Sequence, residues 1–291
     1  MQGQRKTVQC LSPAGLHKMS YKEWGDPQNS RVLVCVHGVT RVADDFDVLA
    51  QSLMRDYRVI CPDVVGRGQS DWLPNPQLYQ IPQYVSDMVT LLARVTANSA
   101  DCSVHWLGTS MGGLIGIGLA AMKNSPISKL ILNDVGPNMN YEALVRIGEY
   151  IGQDVRFNQF EEAADYIRMI SATFGPHTDQ QWHKIASDVL KQAADGKWIR
   201  HYDLSLSAPI KAITPESVEL GQNLLWGAYD AIKCPTLLVR GSESDLISVQ
   251  TAQAMQARGP CAKLVEIPGV GHAPTLVHAD QIAIIKDFLL N

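Results

Sequence analysis

Short runs of β-branched and aliphatic residues alternate along this chain with segments whose apolar positions recur at helical spacing. The runs are Thr7–Leu11, Met19–Trp24, Arg31–Val36, Tyr57–Pro62, Ser103–Leu107, Lys129–Asn133, Thr236–Arg240 and Lys263–Ile267. Helical patterns cover 43–55, 82–97, 111–123, 248–258 and 279–290. The central runs are almost continuously apolar, as in Val32-Leu33-Val34-Cys35-Val36, which suits strands covered on both faces. The alternation predicts an α/β fold with a mostly parallel sheet between layers of helices.

The alternation stops between 137 and 230. No strand-like run is read there. Helices are expected over Tyr141–Ile151, Gln159–Phe174, Asp179–Ala194 and Pro215–Trp226. The third carries Trp182, Ile185, Val189 and Leu190 on one face, with Gly196 beyond its end. The fourth opens with Thr214 as N-cap and Pro215 at the first helical position. The expected organisation is a core domain made of 1–136 and 231–291, interrupted by a helical cap or lid at 137–230. Of the cap aromatics Tyr150, Phe157, Tyr166, Phe174, Trp182, Trp198 and Trp226, one or two should face a site and the rest should pack.

Composition narrows the class without choosing a function. The 291 residues are 46% hydrophobic and 19% charged, with a net charge of −4, so disordered and fibrous classes are out. A nucleic-acid partner would need a basic face, and none is indicated. No run approaches the length of a spanning helix, so no membrane partner is expected. No apolar stretch follows Arg5 and Lys6, and six cysteines are scattered without a CxxC pair. A cytoplasmic protein with reduced thiols is therefore expected. Oligomeric state cannot be read from this pattern.

The chemistry concentrates at Gly108-Thr109-Ser110-Met111-Gly112, a G-x-S-x-G placed directly after one strand and opening the next helix. A serine on so sharp a turn has its hydroxyl exposed and its backbone strained, and the residues two before and two after it must be small. A serine hydroxyl needs a base. His272, in Pro268-Gly269-Val270-Gly271-His272, lies just after the last strand, at the sheet edge where ligands bind in open α/β folds. The base in turn needs a carboxylate to orient it. Asp245, in the loop after the preceding strand, is preferred; Asp134, just after the strand ending at Asn133, and Glu243 are its rivals.

The chain order Ser110, Asp245, His272 resembles that of the α/β-hydrolase fold. His37-Gly38 after the third strand resembles that family's oxyanion loop. Asp63-Val64-Val65-Gly66-Arg67-Gly68-Gln69-Ser70 resembles its D-x-x-G-x-G-x-S turn. The resemblance spans essentially the whole chain. It implies an eight-stranded sheet with a helical cap inserted after the sixth strand, Ser110 as nucleophile, His272 as base and Asp245 as acid. The backbone N–H groups of Val39 and Met111 would form the oxyanion hole. The loop His37-Gly38-Val39-Thr40-Arg41 departs from the HGGG type of many lipases and from the Gly-rich H-G-x-G-P form of C–C bond hydrolases. No Pro follows Asp245 at the usual short interval.

The implied function is a cofactor-free serine hydrolase of carboxylic esters, with small to medium acyl, aryl or enol-lactone substrates. Lactonase, amidase or perhydrolase chemistry on the same scaffold, and a catalytically silent ligand receptor, are the alternatives. Arg41 could meet a substrate carboxylate or pair with Asp44 or Asp45, and His37 could touch substrate or brace the oxyanion loop. His177, His183 and His201 lack metal-ligand spacing, so no metal is expected.

Overall fold

The computed structural model describes residues 3–97 and 101–291. Its strands are β1 (Gln4–Ser12), β2 (Gly15–Trp24), β3 (Arg31–Val36), β4 (Arg58–Pro62), β5 (Ser103–Thr109), β6 (Ile127–Asn133), β7 (Leu190–Gln192), β8 (Trp198–Arg200), β9 (Thr236–Gly241) and β10 (Lys263–Ile267). Its helices are α1 (Asp47–Leu53), α2 (Ile81–Thr96), α3 (Met111–Ala120), α4 (Tyr141–Tyr150), α5 (Phe160–Ile170), α6 (Asp179–Val189), α7 (Ser207–Lys211), α8 (Pro215–Ala231), α9 (Val249–Ala257) and α10 (Ala279–Leu290).

Eight strands form one sheet in the order β1-β2-β4-β3-β5-β6-β9-β10. The β1–β2 hairpin is antiparallel and joins antiparallel to β4; the pairs from β4 to β10 are parallel. This is the eight-stranded, mostly parallel architecture expected. The continuous apolar runs have a simple cause. Alternate side chains point to opposite faces, and both faces are covered. Val32, Val34 and Val36 of β3 join one core with Met88 and Leu91 of α2 and Ile115 of α3. Leu33 and Cys35 join the other with Leu49 and Leu53 of α1 and Ile285 of α10.

Residues between β6 and β9 carry five of the helices and one correction. The helix expected over Asp179–Ala194 ends at Val189, and the chain then folds into the two-stranded β7–β8 hairpin. Gly196 is therefore no helix terminator. At φ 80° it makes the left-handed residue of the hairpin turn, where the Ala193 N–H donates to the Lys197 carbonyl at 2.8 Å. The start of α6 is sharp because Thr178 and Gln181 form a capping box; Thr214 and Ser217 do the same for α8. Trp182 is buried with Ile185 and Val189 in a separate small core, as the shared helical face predicts. Among the described residues, no helix is long and apolar enough to cross a membrane.

Candidate active site

Ser110 sits between β5 and α3 with φ 52° and ψ −117°, a region L-residues rarely occupy. The turn is possible because of its flanking glycines. A Cβ on Gly108 would collide with the backbone of Gly112, and one on Gly112 with the Val36 carbonyl. The Ser110 N–H donates to the Asn133 carbonyl at 3.0 Å, which ties the turn to the end of β6. Met111 opens α3, where the first N–H has no acceptor within the helix. Val39 lines the cleft beside Ser110.

His272 Nε2 lies 3.0 Å from Ser110 Oγ, and its Nδ1 lies 2.7 Å from Asp134 Oδ2. A carboxylate only accepts there, so the ring proton sits on Nδ1 and Nε2 is left to accept from the serine. The expected partnership of His272 with Asp245 is thus corrected. Asp134 follows β6, the strand next to β5, and its φ of 53° turns its side chain to the histidine. The loop after β9, expected to supply the acid, instead holds Asp134 in place. The Gly241 N–H donates to Oδ1 at 2.9 Å and the Ser244 hydroxyl to Oδ2 at 2.7 Å. Asp245, one residue further on, is turned outward and pairs with Arg146 at 2.5 Å, with its side chain 47% exposed. Asp134 is fully buried.

The loop after β3 is braced from below. His37 is fully buried; its Nδ1–H donates to the Gly38 carbonyl at 2.7 Å, and its Nε2 accepts from the Val64 N–H at 2.9 Å. Burial pushes the imidazole down to about 4, so it stays neutral. Both nitrogens are spent inside the protein, which places His37 under the loop and away from substrate. Arg67 Nε donates to the Val39 carbonyl at 2.8 Å from the D-x-x-G-x-G-x-S turn. In that turn Asp63 accepts from the N–H groups of Ala43 and Gln69. Arg41 lines the cleft, but its fork is engaged by Asp45 at 2.8 and 2.7 Å.

Two cavities meet at Ser110. The smaller, about 90 Å³, is the more polar of the two: His272, Arg41, Arg200 and Tyr202 share its lining with Ile147, Ile167, Ile170 and Val189. The larger, about 500 Å³, is apolar and is lined by Met111, Leu114, Leu144, Ile210 and Leu225. Of the aromatics between β6 and β9 expected to face a site or to pack, Tyr150 and Phe174 line this smaller cavity. Sequence reading missed Arg146, Arg200 and Tyr202. No local pattern marked them: Trp198-Ile199-Arg200 is too short a run to stand out as a strand. The segment between β6 and β9 also grips the histidine loop: Thr173 Oγ1 donates to the His272 carbonyl at 2.8 Å, and the Gly271 N–H donates to the Thr173 carbonyl at 2.7 Å.

Known proteins resemble this chain in sequence and fold. A 3-hydroxybutyrate-oligomer hydrolase of Cupriavidus necator is 53% identical over 284 residues, covering 97% of this chain and 96% of the relative. A crystal structure of an alpha/beta hydrolase from Novosphingobium aromaticivorans superposes with a TM-score of 0.85 at 34% identity, covering 99% of this chain and 98% of the other. A hydrolase from Rickettsia typhi gives 0.88 at 30% identity, covering 100% and 99%. The family model described as alpha/beta hydrolase family matches residues 33–284, and the chain belongs to that family.

Proposed function

We propose that the protein is a serine hydrolase of carboxylic esters in which Ser110 is the nucleophile, His272 the general base and acid, and Asp134 the residue that orients the histidine. The observation that carries this reading is the unbroken relay of 3.0 and 2.7 Å from the serine oxygen to the buried carboxylate. Ser110 Oγ bonds to the ester carbonyl carbon while its proton passes to His272 Nε2. The oxyanion is held by the N–H groups of Val39 and Met111. The intermediate collapses by breaking the bond to the alcohol oxygen, which takes the proton from His272. A water then loses a proton to His272 and attacks the acyl carbon. The bond to Ser110 breaks, the proton returns to Oγ, and the carboxylic acid departs.

The substrates that fit best are short oligoesters of 3-hydroxy acids. This is what the name of the Cupriavidus necator relative suggests at 53% identity, and both halves of such an ester find room around Ser110. The segment 137–230 acts as a cap that selects substrates and steadies the His272 loop through Thr173. The test is chromatography of the linear trimer of 3-hydroxybutyrate after incubation with the protein. Release of monomer is expected, and Ser110→Ala should lower the rate by ~10⁴–10⁶-fold without unfolding the protein. An intact trimer beside rapid cleavage of p-nitrophenyl butyrate would overturn the oligoester assignment; full activity in Ser110→Ala would overturn the nucleophile.

A further inference from the structure

Three arginines line the polar cavity at Ser110, and their charges are not treated alike. Arg41 is paired with Asp45 and Arg146 with Asp245. Arg200 is 5% exposed and has no carboxylate within ion-pair distance among the described residues. Its terminal nitrogens donate to the carbonyls of Tyr150, at 2.8 Å, and Gln153, and its Nε is buried with no partner. Beside it, 5.0 Å from the guanidinium carbon to the ring centroid, lies Tyr202, 2% exposed. The Tyr202 phenolic proton has no acceptor among the described residues. Burial pushes this phenol up to about 12, so it keeps its proton at neutral pH and remains a donor. A desolvated cation without a counter-ion is costly to hold. A neighbouring unspent hydroxyl adds to that cost. Both costs fall when an anion with several acceptor sites enters.

The proton path says which half of the ester brings that anion. His272 must protonate the leaving oxygen, so the alcohol half lies on the histidine side of Ser110. His272 lines the polar cavity with Arg200 and Tyr202, whereas the apolar cavity is walled by Met111 and Leu114. We propose that Arg200 and Tyr202 form a carboxylate site for the leaving half of the substrate, so that the enzyme removes hydroxy acids from the free-carboxylate end of an oligoester while the acyl half occupies the apolar cavity. The bond that breaks is the last ester linkage of the chain. The products are a free hydroxy acid, whose alkoxide oxygen receives the His272 proton, and the shortened acyl chain on Ser110, released by water. This inference rests on the ester-hydrolase reading above.

A matched pair of substrates tests it: 3-(butyryloxy)butanoate and its methyl ester share the scissile bond and differ in one charge. The readout is the ratio of kcat/KM for butyrate release, acid over methyl ester, which cancels differences in folded fraction. Wild type should favour the acid by about 10–100-fold, the range of a charge-assisted, bidentate contact. Arg200→Gln should bring the ratio close to one, Arg200→Lys should restore part of it, and Tyr202→Phe should lower it by about 3–10-fold. If Arg200→Gln fails to fold, Tyr202→Phe, which removes a single oxygen, decides. A wild-type ratio of one or less, or a ratio unchanged in the variants, overturns the carboxylate site and leaves the ester-hydrolase reading standing. Failure of wild type to cleave either ester or p-nitrophenyl butyrate overturns both.

Discussion

Arg67 and Arg200 each line one of the cavities at Ser110, Arg67 from the turn after β4 and Arg200 from β8 in the segment between β6 and β9. Both are buried and neither has a carboxylate partner among the described residues. Arg67 nonetheless has a partner at each guanidinium nitrogen. It donates to the carbonyls of Val39 and Val65, to the Tyr84 hydroxyl and to the Met111 sulfur, and its guanidinium carbon lies 4.9 Å from the centroid of Tyr84. Among the described residues, Arg200 is left with an unpaired Nε beside Tyr166 and Tyr202, whose hydroxyl protons have no acceptor. The difference follows from the two tasks. Groups that are to move protons and hold an oxyanion must already be oriented before substrate arrives, and the ring nitrogens of His37 and His272 and both oxygens of Asp134 are accordingly paired within the fold. Groups that recognise substrate must keep capacity free for it.

The strongest way to break this contrast is at the two aspartates that frame the cleft. Asp134 receives three hydrogen bonds inside the core, from Gly241, Ser244 and His272. Asp245 makes an exposed pair with Arg146. Asp134→Asn keeps the shape and replaces an acceptor by an amide facing the His272 Nδ1–H, which favours the wrong tautomer. Ester turnover should fall by ~10³–10⁴-fold. Asp245→Asn removes an interaction worth about 0–1 kcal/mol and should change turnover by less than about fivefold. Steady-state rates on p-nitrophenyl butyrate decide the order. Reversed effects would return the acid to the loop after β9.

That choice shows where sequence reading runs out. The sheet was legible because continuous apolar runs such as Val32–Val36 reflect burial on both faces, a local property. Ser110 was legible because the clash it avoids lies within five residues, at Gly108 and Gly112. His272 was legible as a histidine in the loop after the last strand of an open sheet. The acid was not. Asp134 and Asp245 each follow a strand, and the outcome depends on a φ of 53° at Asp134 and on the Ser244 hydroxyl reaching it from another loop. Arg200 was invisible for a related reason. Its hairpin strand has three residues, and an arginine buried without a counter-ion cannot be told from a surface arginine in the sequence.

A smaller effect separates the core histidines from the site. Burial pushes both His37 and His105 down to about 4, below the ordinary value of 6.5. The unfolded chain therefore takes up protons between pH 6.5 and 4 while the folded protein does not. Stability is fully present above 6.5 and falls as pH drops towards 4, by up to about 1.4 kcal/mol per pH unit for each histidine. Urea midpoints measured from pH 7.5 to 4.5 should fall along that course. His37→Gln should flatten the slope and shift the midpoint at pH 7.5 downward, because the Val64 and Gly38 bonds are disturbed. An unchanged slope would mean that His37 is protonated in the folded protein and that the oxyanion loop is braced in some other way.

The finest test compares two tyrosine hydroxyls. Tyr79 donates to Asp203 Oδ2 at 2.6 Å and accepts from the Leu73 N–H at 2.8 Å, both in buried surroundings. Tyr79→Phe strands both groups and should cost about 1–3 kcal/mol. Tyr202→Phe removes a hydroxyl whose proton has no acceptor among the described residues and leaves only the Gly152 N–H beside it, so the change should stay below about 1 kcal/mol. Urea unfolding of the substrate-free protein measures both, provided the m-value is unchanged. The two variants should differ in opposite ways under the two assays. Tyr79→Phe should be less stable with an unaltered preference between free-acid and methyl esters. Tyr202→Phe should be nearly as stable as wild type with a diminished preference. If Tyr202→Phe loses as much stability as Tyr79→Phe, its hydroxyl is already spent within the fold. No donor beside Arg200 would then be left waiting for a carboxylate.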